Sequence, residues 1–311
     1  MEIDLIKPPP KVAVCLAAFN GLDWIAEQLE SVLAQKCVDV SVFISVDQST
    51  DGTEKWIDQR ALGDKRIIVL PHGRRFGGAA RNFFRLLRDV DFSGFDYISF
   101  ADQDDLWFND KLKRAHEMLQ RTGADGYSSN VTAFWSGGRE LLINKSQAQK
   151  KWDFLFEAAG PGCTYVMKNA LAGDMKVQLC NHWHKAQQVG LHDWFAYAFA
   201  RANGYRWVID NQPSMLYRQH AENQVGVNEG WRAFFHRGRK ILSGWGFQQS
   251  ACIAEVAGIG DDPFVTSWTK GGRMGLLKLA FQANHCRRRL RDQILFAISC
   301  LACSVRHGKY E

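Results

Sequence analysis

The chain has 311 residues, enough for one large domain or for one domain with a smaller appendage. Its 46% hydrophobic and 23% charged residues are typical of a globular protein with a sizeable core, which excludes a disordered or fibrous class. The net charge of +6 is uneven, because residues 226–311 hold 13 Lys and Arg against 6 Asp and Glu, whereas residues 1–225 hold 26 against 27. The basic excess therefore belongs to the C-terminal region.

The cellular compartment is suggested by the cysteines and by the first residues. The eight cysteines have no disulfide-like spacing, and residues 1–10 carry charges and three prolines where a secretory signal would be apolar. No run reaches the ~18 apolar residues of a membrane-spanning helix. We therefore expect a cytoplasmic protein with reduced thiols and a short leader at 1–10.

Strand and helix patterns alternate along the first hundred residues. Apolar runs predict strands at 12–18, 40–46, 66–70 and 97–100, and helical patterns at 22–34, 50–57 and 79–90 separate them. This βαβ alternation predicts an α/β fold whose mostly parallel sheet is flanked by helices. Later patterns predict helices at 111–122, 174–189 and 192–202 and strands at 126–134, 205–210 and 214–217. In open sheets of this kind, ligands bind outside the carboxyl ends of the strands.

The most unusual segment is Asp102-Gln103-Asp104-Asp105, which comes directly after the fourth predicted strand. Carboxylates this close repel one another and raise each other's pKa unless a cation neutralises them. Hard divalent cations such as Mg2+ and Mn2+ prefer oxygen ligands and bridge to substrate phosphates. The segment therefore predicts a metal and a phosphorylated substrate, although an acidic loop before the helix near Asn109 would have the same composition.

Polar and small residues also follow the other predicted strands. Asp47 comes after the second strand, where its carboxylate suits a nucleobase N–H or ribose hydroxyls, or forms an ordinary turn. Arg75, Gly78 and Arg81 surround the next helix start, where close backbone approach and N–H donors suit an anion. Because parallel strands end at the same edge of a sheet, we expect these segments to converge.

Four ordered segments carry a resemblance to a known family. They are Ala-Phe-Asn-Gly at 18–21, Asp-Gln-Ser-Thr-Asp-Gly-Thr at 47–53, Gly-Gly-Ala-Ala-Arg-Asn at 77–82 and Ala-Asp-Gln-Asp-Asp-Leu-Trp at 101–107. In this order they resemble family 2 glycosyltransferases of the GT-A fold, a Rossmann-like α/β architecture. The resemblance covers 11–225 and implies a nucleotide-binding half at 11–107 and an acceptor-binding half at 108–225.

The resemblance also implies roles for single residues. Ala18, Phe19 and Asp47 would line the nucleoside pocket, with Phe19 where tyrosine is common, and Asp102 and Asp104 would form the DxD element, with Asp104 the direct metal ligand. The residues expected to bind the nucleotide sugar are Ala18, Phe19, Asn20, Asp47, Arg75, Gly78, Arg81, Asp102, Gln103 and Arg218.

Two later segments match the family in the same way. His192-Asp193-Trp194 occupies the place of an acidic pair at a helix start, and Asp193 would be the catalytic base, although His192 departs from the pattern. Tyr-Arg-Gln-His at 217–220 resembles a Tyr-Arg-x-His element, which would put Arg218 and His220 near the diphosphate and the metal. A helix-capping Asp193 and a structural His220 remain alternatives.

The variant segments look most like the rhamnosyltransferase-like subgroup of bacterial surface-polysaccharide synthesis. This implies inverting transfer, with Mg2+ or Mn2+, of L-rhamnose from dTDP-L-rhamnose to a saccharide or lipid-linked saccharide of O-antigen or capsule. A UDP-hexose donor, a metal-dependent nucleotidyltransferase and a non-catalytic nucleotide-binding scaffold remain alternatives.

The C-terminal region at 226–311 is basic, aromatic-rich and predicted to be helical. Basic residues beside an apolar face are typical of a helix that lies on an anionic membrane, which would make the protein peripheral at the inner face of the cytoplasmic membrane. A helical cap packed on the catalytic domain explains the pattern equally well. No recognition motif accompanies the charge, so nucleic acid is not expected as a partner.

Overall fold

The protein, studied as a computed structural model, is described for residues 8–220 and 244–307. Nine strands form one sheet: β1 (Lys11–Ala18), β2 (Asp39–Val46), β3 (Ile67–Val69), β4 (Tyr97–Ala101), β5 (Leu106–Trp107), β6 (Gly126–Phe134), β7 (Glu140–Ile143), β8 (Val166–Lys168) and β9 (Trp207–Arg218). The strand order is β3-β2-β1-β4-β8-β6-β9-β5, and β7 pairs with β6.

Helices cover the sheet. Those of the described residues are α1 (Ile25–Leu33), α2 (Thr53–Gly63), α3 (Ala79–Asp89), α4 (Lys111–Thr122), α5 (Asn169–Asn181), α6 (Trp183–Ala186), α7 (His192–Ala202), α8 (Trp245–Val256), α9 (Pro263–Thr269), α10 (Gly272–Phe281), α11 (Ala283–Cys286) and α12 (Leu290–His307). None of these helices has the length and apolar character that crossing a membrane requires.

The central strand β1 is apolar after its first residue, Lys11, and both of its faces are covered. Successive side chains of a strand point to opposite faces. Ala13 and Cys15 therefore belong to the core that contains α3, whereas Val14 and Leu16 belong to the core that contains α1. The β1 pattern could thus be read from sequence as a buried parallel strand.

The predicted α/β architecture is confirmed, and its parallel part lies in the first hundred residues. Strands β3, β2, β1 and β4 are parallel to one another. From β8 onward the sheet is mixed, because β8 is antiparallel to both β4 and β6, whereas β6 and β9 are parallel. The loops after the first four strands therefore open at one edge of the sheet, as expected.

Two boundaries differ from the sequence prediction. The strands expected at 205–210 and 214–217 are one strand, β9, whose pairing with β6 shifts register twice around Asn130. Pro213 lies between the two expected strands, and a bulge accommodates it within β9. The helix expected at 174–189 starts earlier and is divided into α5 and α6.

The described part of the C-terminal region packs on the α/β domain. Trp152 stacks on Phe264 of α9, with ring centroids 4.2 Å apart. Phe156 contacts Trp268 of α9 and Phe296 of α12, with centroid distances of 5.6 and 4.7 Å. These aromatic contacts bury large apolar areas, so α8–α12 form a helical cap.

The basic run at 287–291 takes part in this packing. The buried side chain of Arg288 donates to the carbonyl of Ala158 at 2.6 Å and lies 3.4 Å from Glu157 and 3.6 Å from Asp153. A buried guanidinium needs such partners, because an unpaired charge is costly away from water. Part of the charge in the run therefore joins the cap to the domain, and is not available to an external partner.

Candidate active site

The loops after β1 and β4 are joined by the side chain of Gln103. Its Oε1 accepts the N–H of Phe19 at 2.7 Å, and its Nε2 donates to the carbonyl of Phe19 at 2.8 Å. The ring of Phe19 is 44% exposed. Both amide atoms of Gln103 are thus engaged by the backbone of Phe19, whose ring remains open to a planar ligand such as a nucleobase.

The loops after β1 and β2 are also joined. Asn20, at a φ of +46°, accepts the N–H of Thr50 through Oδ1 at 2.8 Å, and its own N–H donates to the Ser49 hydroxyl at 3.0 Å. Ala18 is buried, and its carbonyl accepts the N–H of Asp47 at 2.8 Å. Ala18 and Asn20, on either side of Phe19, therefore fix the loop after β1 against the loop after β2.

Asp47 holds the loop that follows β3. Its Oδ1 accepts the N–H groups of Gln48 at 3.0 Å and Phe76 at 2.6 Å, and its Oδ2 accepts the N–H of Gly77 at 2.8 Å. Gly77 and Gly78 have φ values of +80° and +145°, which favour glycine. This turn leaves the side chain of Arg75 exposed above the loop.

Two arginines of α3 fix the position of this loop. The exposed Arg81 donates from Nε to the carbonyl of Gln187 at 3.1 Å. Arg85, which sequence reasoning did not single out, is buried and donates to the carbonyl of Pro71 and to the Ser45 hydroxyl, the latter at 2.9 Å. Its guanidinium also lies over the ring of Phe76, 4.8 Å from the centroid. The only sequence feature that could have indicated a role for Arg85 is that this charged residue lies on the apolar face of a predicted helix.

The end of β9 is fastened to the acidic loop. Nε2 of His220 lies 2.7 Å from Oδ2 of Asp104, and its ring stacks on Trp24 with centroids 4.1 Å apart. Arg218 donates from Nε to the carbonyl of Asp104 at 2.8 Å and pairs with Glu27 at 2.6 Å. The geometry therefore brings Arg218 and His220 to Asp104, and their roles toward the diphosphate and the metal stay predictions. Trp24 and Glu27 were not singled out from the sequence as site residues, because both lie in the helix predicted at 22–34 and gave no other signal.

Asp105 supports the loop from below. Its Oδ1 accepts the N–H of Arg218 at 3.2 Å, and burial raises its pKa well above the usual range. The buried ammonium of Lys111 lies 3.4 Å from the ring centroid of Trp107, and burial lowers its pKa to about 7. Neither group reaches solvent, so both belong to the support of the site.

Asp193 lies in the first turn of α7, and its Oδ1 accepts the N–H of Trp194 at 2.7 Å. Burial raises the pKa of the Asp193 carboxyl to about 6. The pKa of Asp102 is raised to about 7, first by burial and then by the negative charges of Asp104 and Asp193. Gly162 packs against Asp193, and the ligand atom of the next residue, Cys163, lies within 4.8 Å of those of Asp102 and Asp105. Asp193 and the acidic loop are therefore neighbours, although they are far apart in sequence.

The matching relatives identify this arrangement. Residues 13–161 match the family model described as "Glycosyl transferase family 2". Over 280 residues, which are 90% of this chain and 96% of the relative, the sequence is 45% identical to dTDP-rhamnosyl transferase RfbG of Shigella flexneri. The chain belongs to glycosyltransferase family 2.

Two further comparisons extend this assignment. Over 124 residues the glycosyltransferase is 35% identical to the putative teichuronic acid biosynthesis glycosyltransferase TuaG of Bacillus subtilis (strain 168), covering 38% of this chain and 47% of TuaG. The crystal structure of S. aureus TarS 1–349 in complex with UDP-GlcNAc aligns with a TM-score of 0.54 at 13% identity, covering 96% of this chain and 91% of that chain. The structural likeness shows the fold, which confirms the GT-A architecture.

Glycosyltransferases of the GT-A fold commonly use divalent metals, and two groups of side chains here have suitable ligand atoms. One is Asp104 with His220, whose carboxylate and imidazole ligands suit Mg2+ or Mn2+, and to which the sequence prediction adds Asp102. The other is Asp102, Asp105 and Cys163, whose ligand atoms lie within 4.8 Å of one another. The second group fits a hard cation less well, because Cys163 is a soft thiol and Asp105 is fully buried beside it.

The residue before the candidate base has a packing role. His192 is buried and stacks on Phe83, with ring centroids 3.8 Å apart and an interplanar angle of 18°. Burial lowers its pKa to about 3, so the ring is neutral. A carboxylate, common at this place in the family, would be costly in such an apolar contact. His192 instead fixes the first turn of α7, and with it Asp193, against α3.

Gly162 is a further residue that sequence reasoning treated only as part of a turn. A Cβ at this position would lie 2.5 Å from Nε2 of His192 and 3.0 Å from Cβ of Asp193. The backbone at Gly162 therefore packs directly against the start of α7. Only a residue without a side chain leaves Asp193 in its observed place.

We expect Gly162→Ala to lower both stability and activity. Overpacking of this kind costs about 1–3 kcal/mol, and relief by a shift of α7 would displace Asp193. Thermal unfolding and steady-state kinetics measure the two effects. Gly173→Ala is the matched control, because nothing lies within 4 Å of a Cβ at Gly173 in α5. Wild-type kinetics in Gly162→Ala would contradict the placement of Asp193.

Proposed function

We propose that this glycosyltransferase transfers L-rhamnose from dTDP-L-rhamnose to a saccharide acceptor, with inversion at the anomeric carbon. The donor is inferred from the 45% identity with dTDP-rhamnosyl transferase RfbG over nearly the whole of both chains. The structural observation that supports the mechanism is that Asp193 packs on Gly162, next to Cys163, which lies beside Asp102 and Asp105 of the acidic loop. A base and a diphosphate site are the two parts that single-displacement sugar transfer requires.

In the proposed reaction Asp193 is the general base. Its carboxylate would take the proton of an acceptor hydroxyl as the hydroxyl oxygen attacks the anomeric carbon of the donor. The new glycosidic bond forms on the face opposite the departing dTDP, so the configuration inverts, as in single-displacement glycoside chemistry. The raised pKa of Asp193, about 6, makes it a stronger base than an exposed carboxylate while it stays ionised near neutral pH.

The acidic loop would hold the diphosphate end of the donor. Asp104 and Asp102, with His220, are the proposed ligands of Mg2+ or Mn2+, and the cation would neutralise the charge that develops on the leaving diphosphate. Arg218 is held against the carbonyl of Asp104 at 2.8 Å, so its guanidinium adds positive charge beside the same loop. The exposed Arg75 and the glycine turn after β3 offer further donors to the phosphates.

The nucleoside end would lie on the loops after β1 and β2. The exposed ring of Phe19 is proposed to stack on thymine, and Gln103 holds that ring by two hydrogen bonds to its backbone. Asp47 is proposed to act on the donor mainly through the loop that it fixes, because its oxygens already accept three backbone N–H groups. Ala18 and Asn20 complete the pocket by backbone shape.

The acceptor is proposed to be a lipid-linked saccharide of O-antigen or another surface polysaccharide. With such an acceptor, the enzyme is proposed to act in the cytoplasm, at the inner face of the cytoplasmic membrane. The proposed catalytic residues all lie in the α/β domain, so we propose that any contact with lipid is made by other parts of the chain.

A donor screen tests the proposal. With Mn2+ present, dTDP-L-rhamnose should stabilise the protein by about 2.7 kcal/mol at a hundredfold excess over Kd, and UDP-glucose should stabilise it less. Turnover with an oligosaccharide acceptor should release dTDP. A larger shift and faster turnover with UDP-glucose would show that UDP-glucose is the donor. Transfer of dTMP to the acceptor with release of rhamnose 1-phosphate would indicate a nucleotidyltransferase, and stabilisation without turnover would indicate a binding scaffold.

A further inference from the structure

The last helix carries an apolar stripe that packing on the domain does not use. Leu290, Ile294, Ile298, Leu301 and Val305 follow one another at helical spacing, and each is 45% to 71% exposed. The opposite face of α12 is buried, with Phe296, Cys300 and Cys303 in the core. Alpha-helix α12 is therefore apolar on both faces, although only one face is covered within the described residues.

The neighbouring helix α10 adds to the exposed apolar surface. Phe281, the last residue of α10, is 88% exposed, and Met274, two helical turns earlier, is also exposed. Isolated exposed apolar residues are common on proteins, but a continuous row along an 18-residue helix is not. The row therefore marks a contact surface.

Positive charge borders this surface. Arg289 and Arg291 lie at the start of α12, and the Arg291 side chain is 76% exposed. Arg273 and Lys278 are exposed on α10. Asp292 is the acidic residue in the first turn of α12, and it already lies 3.4 Å from Arg291 and 4.0 Å from Arg287. Exposed basic residues thus lie on the same two helices as the exposed apolar residues.

We propose that the α12 stripe, with Phe281 of α10, inserts into the interfacial layer of an anionic membrane. An amphipathic helix with basic residues beside its apolar face lies in the plane of such a membrane and does not cross it. These basic residues favour anionic lipid over the other candidate partners, because a second copy of this chain or its own basic segment at 221–243 would bring like charge to the same place. This inference rests on the proposed function in one respect, because an enzyme with a lipid-linked acceptor would need to contact the membrane.

Vesicle flotation with the full chain tests this inference. Wild type should float with vesicles of phosphatidylcholine and phosphatidylglycerol and much less with phosphatidylcholine alone. Ile294→Gln/Ile298→Gln should lower the bound fraction about tenfold, because two inserted side chains are lost. Leu62→Gln/Leu142→Gln is the matched control, since it removes two exposed apolar side chains of the α/β domain and should float like wild type.

Further measurements separate this inference from the proposed function. All variants should keep wild-type thermal stability and wild-type transfer to a water-soluble acceptor, because the substituted residues are exposed and outside the site. Failure of wild type to float while transfer persists would overturn the membrane contact alone, and so would equal flotation with neutral vesicles. A change of oligomeric state in the α12 variant, measured by light scattering, would overturn it in favour of a contact between copies.

Discussion

Asp193→Asn should reduce kcat about 10³-fold and leave the affinity for dTDP unchanged, because an amide cannot take the proton of the acceptor hydroxyl. Thermal stability should not fall, since burial already disfavours the charged form of this carboxyl. Steady-state kinetics, calorimetric titration with dTDP and thermal unfolding measure the three quantities. Full transfer activity in Asp193→Asn would show that another group is the base.

The pH profile of the wild type gives an independent test of the same assignment. A base is active when it is deprotonated, so kcat/KM should fall as the pH drops through about 6, the value to which burial raises the Asp193 pKa. This acidic limb should be absent from the residual activity of Asp193→Asn. Asp261→Asn is the control, because Asp261 is fully exposed and remote from the site, and its profile should match wild type.

Asp104→Asn should abolish the stabilisation that Mn2+ gives together with dTDP, and should lower kcat/KM about 10²–10³-fold. The physical reason is that Oδ2 of Asp104 lies 2.7 Å from Nε2 of His220, so a cation beside both atoms would have ligands from two loops. Thermal shift with and without Mn2+ measures the effect without reference to activity. The same Asp261→Asn variant again serves as the control.

The alternative metal group makes this experiment decisive. Cys163→Ser changes the group formed by Asp102, Asp105 and Cys163, whose ligand atoms lie within 4.8 Å. We expect Cys163→Ser to keep the Mn2+-dependent stabilisation that Asp104→Asn loses. The reverse result would move the metal from Asp104 to the buried group.

The fold was predictable from sequence where local pattern and tertiary packing agree. Strand β1 reads as a buried strand because both faces of it are covered, and α4 and α7 have helical spacing over the bounds that the structure shows. The two short strands expected around Pro213 were wrong, because pairing with β6 absorbs the proline in a bulge. Local sequence cannot indicate such a pairing partner.

The candidate site was predictable as a set of residues but not as a set of contacts. Asp47, Asp102 and Asp104 were singled out as carboxylates at strand ends, and Asp193 was singled out through the family resemblance. Gln103 was expected to bind the donor, whereas its amide holds the backbone of Phe19. That contact joins positions in two loops far apart in sequence, and no spacing rule connects them.

The sequence by itself determined the family, the α/β class and the acidic residues, because these depend on local spacing and residue type. Only the tertiary structure decided the use of the basic C-terminal run. Arg288 is buried against Asp153 and Glu157, whereas Arg291 is exposed beside an apolar stripe. The charge and the helical pattern of the run do not show which arginine is buried against the domain and which is exposed. Only the packing decides this, since it determines which face of α12 the domain covers.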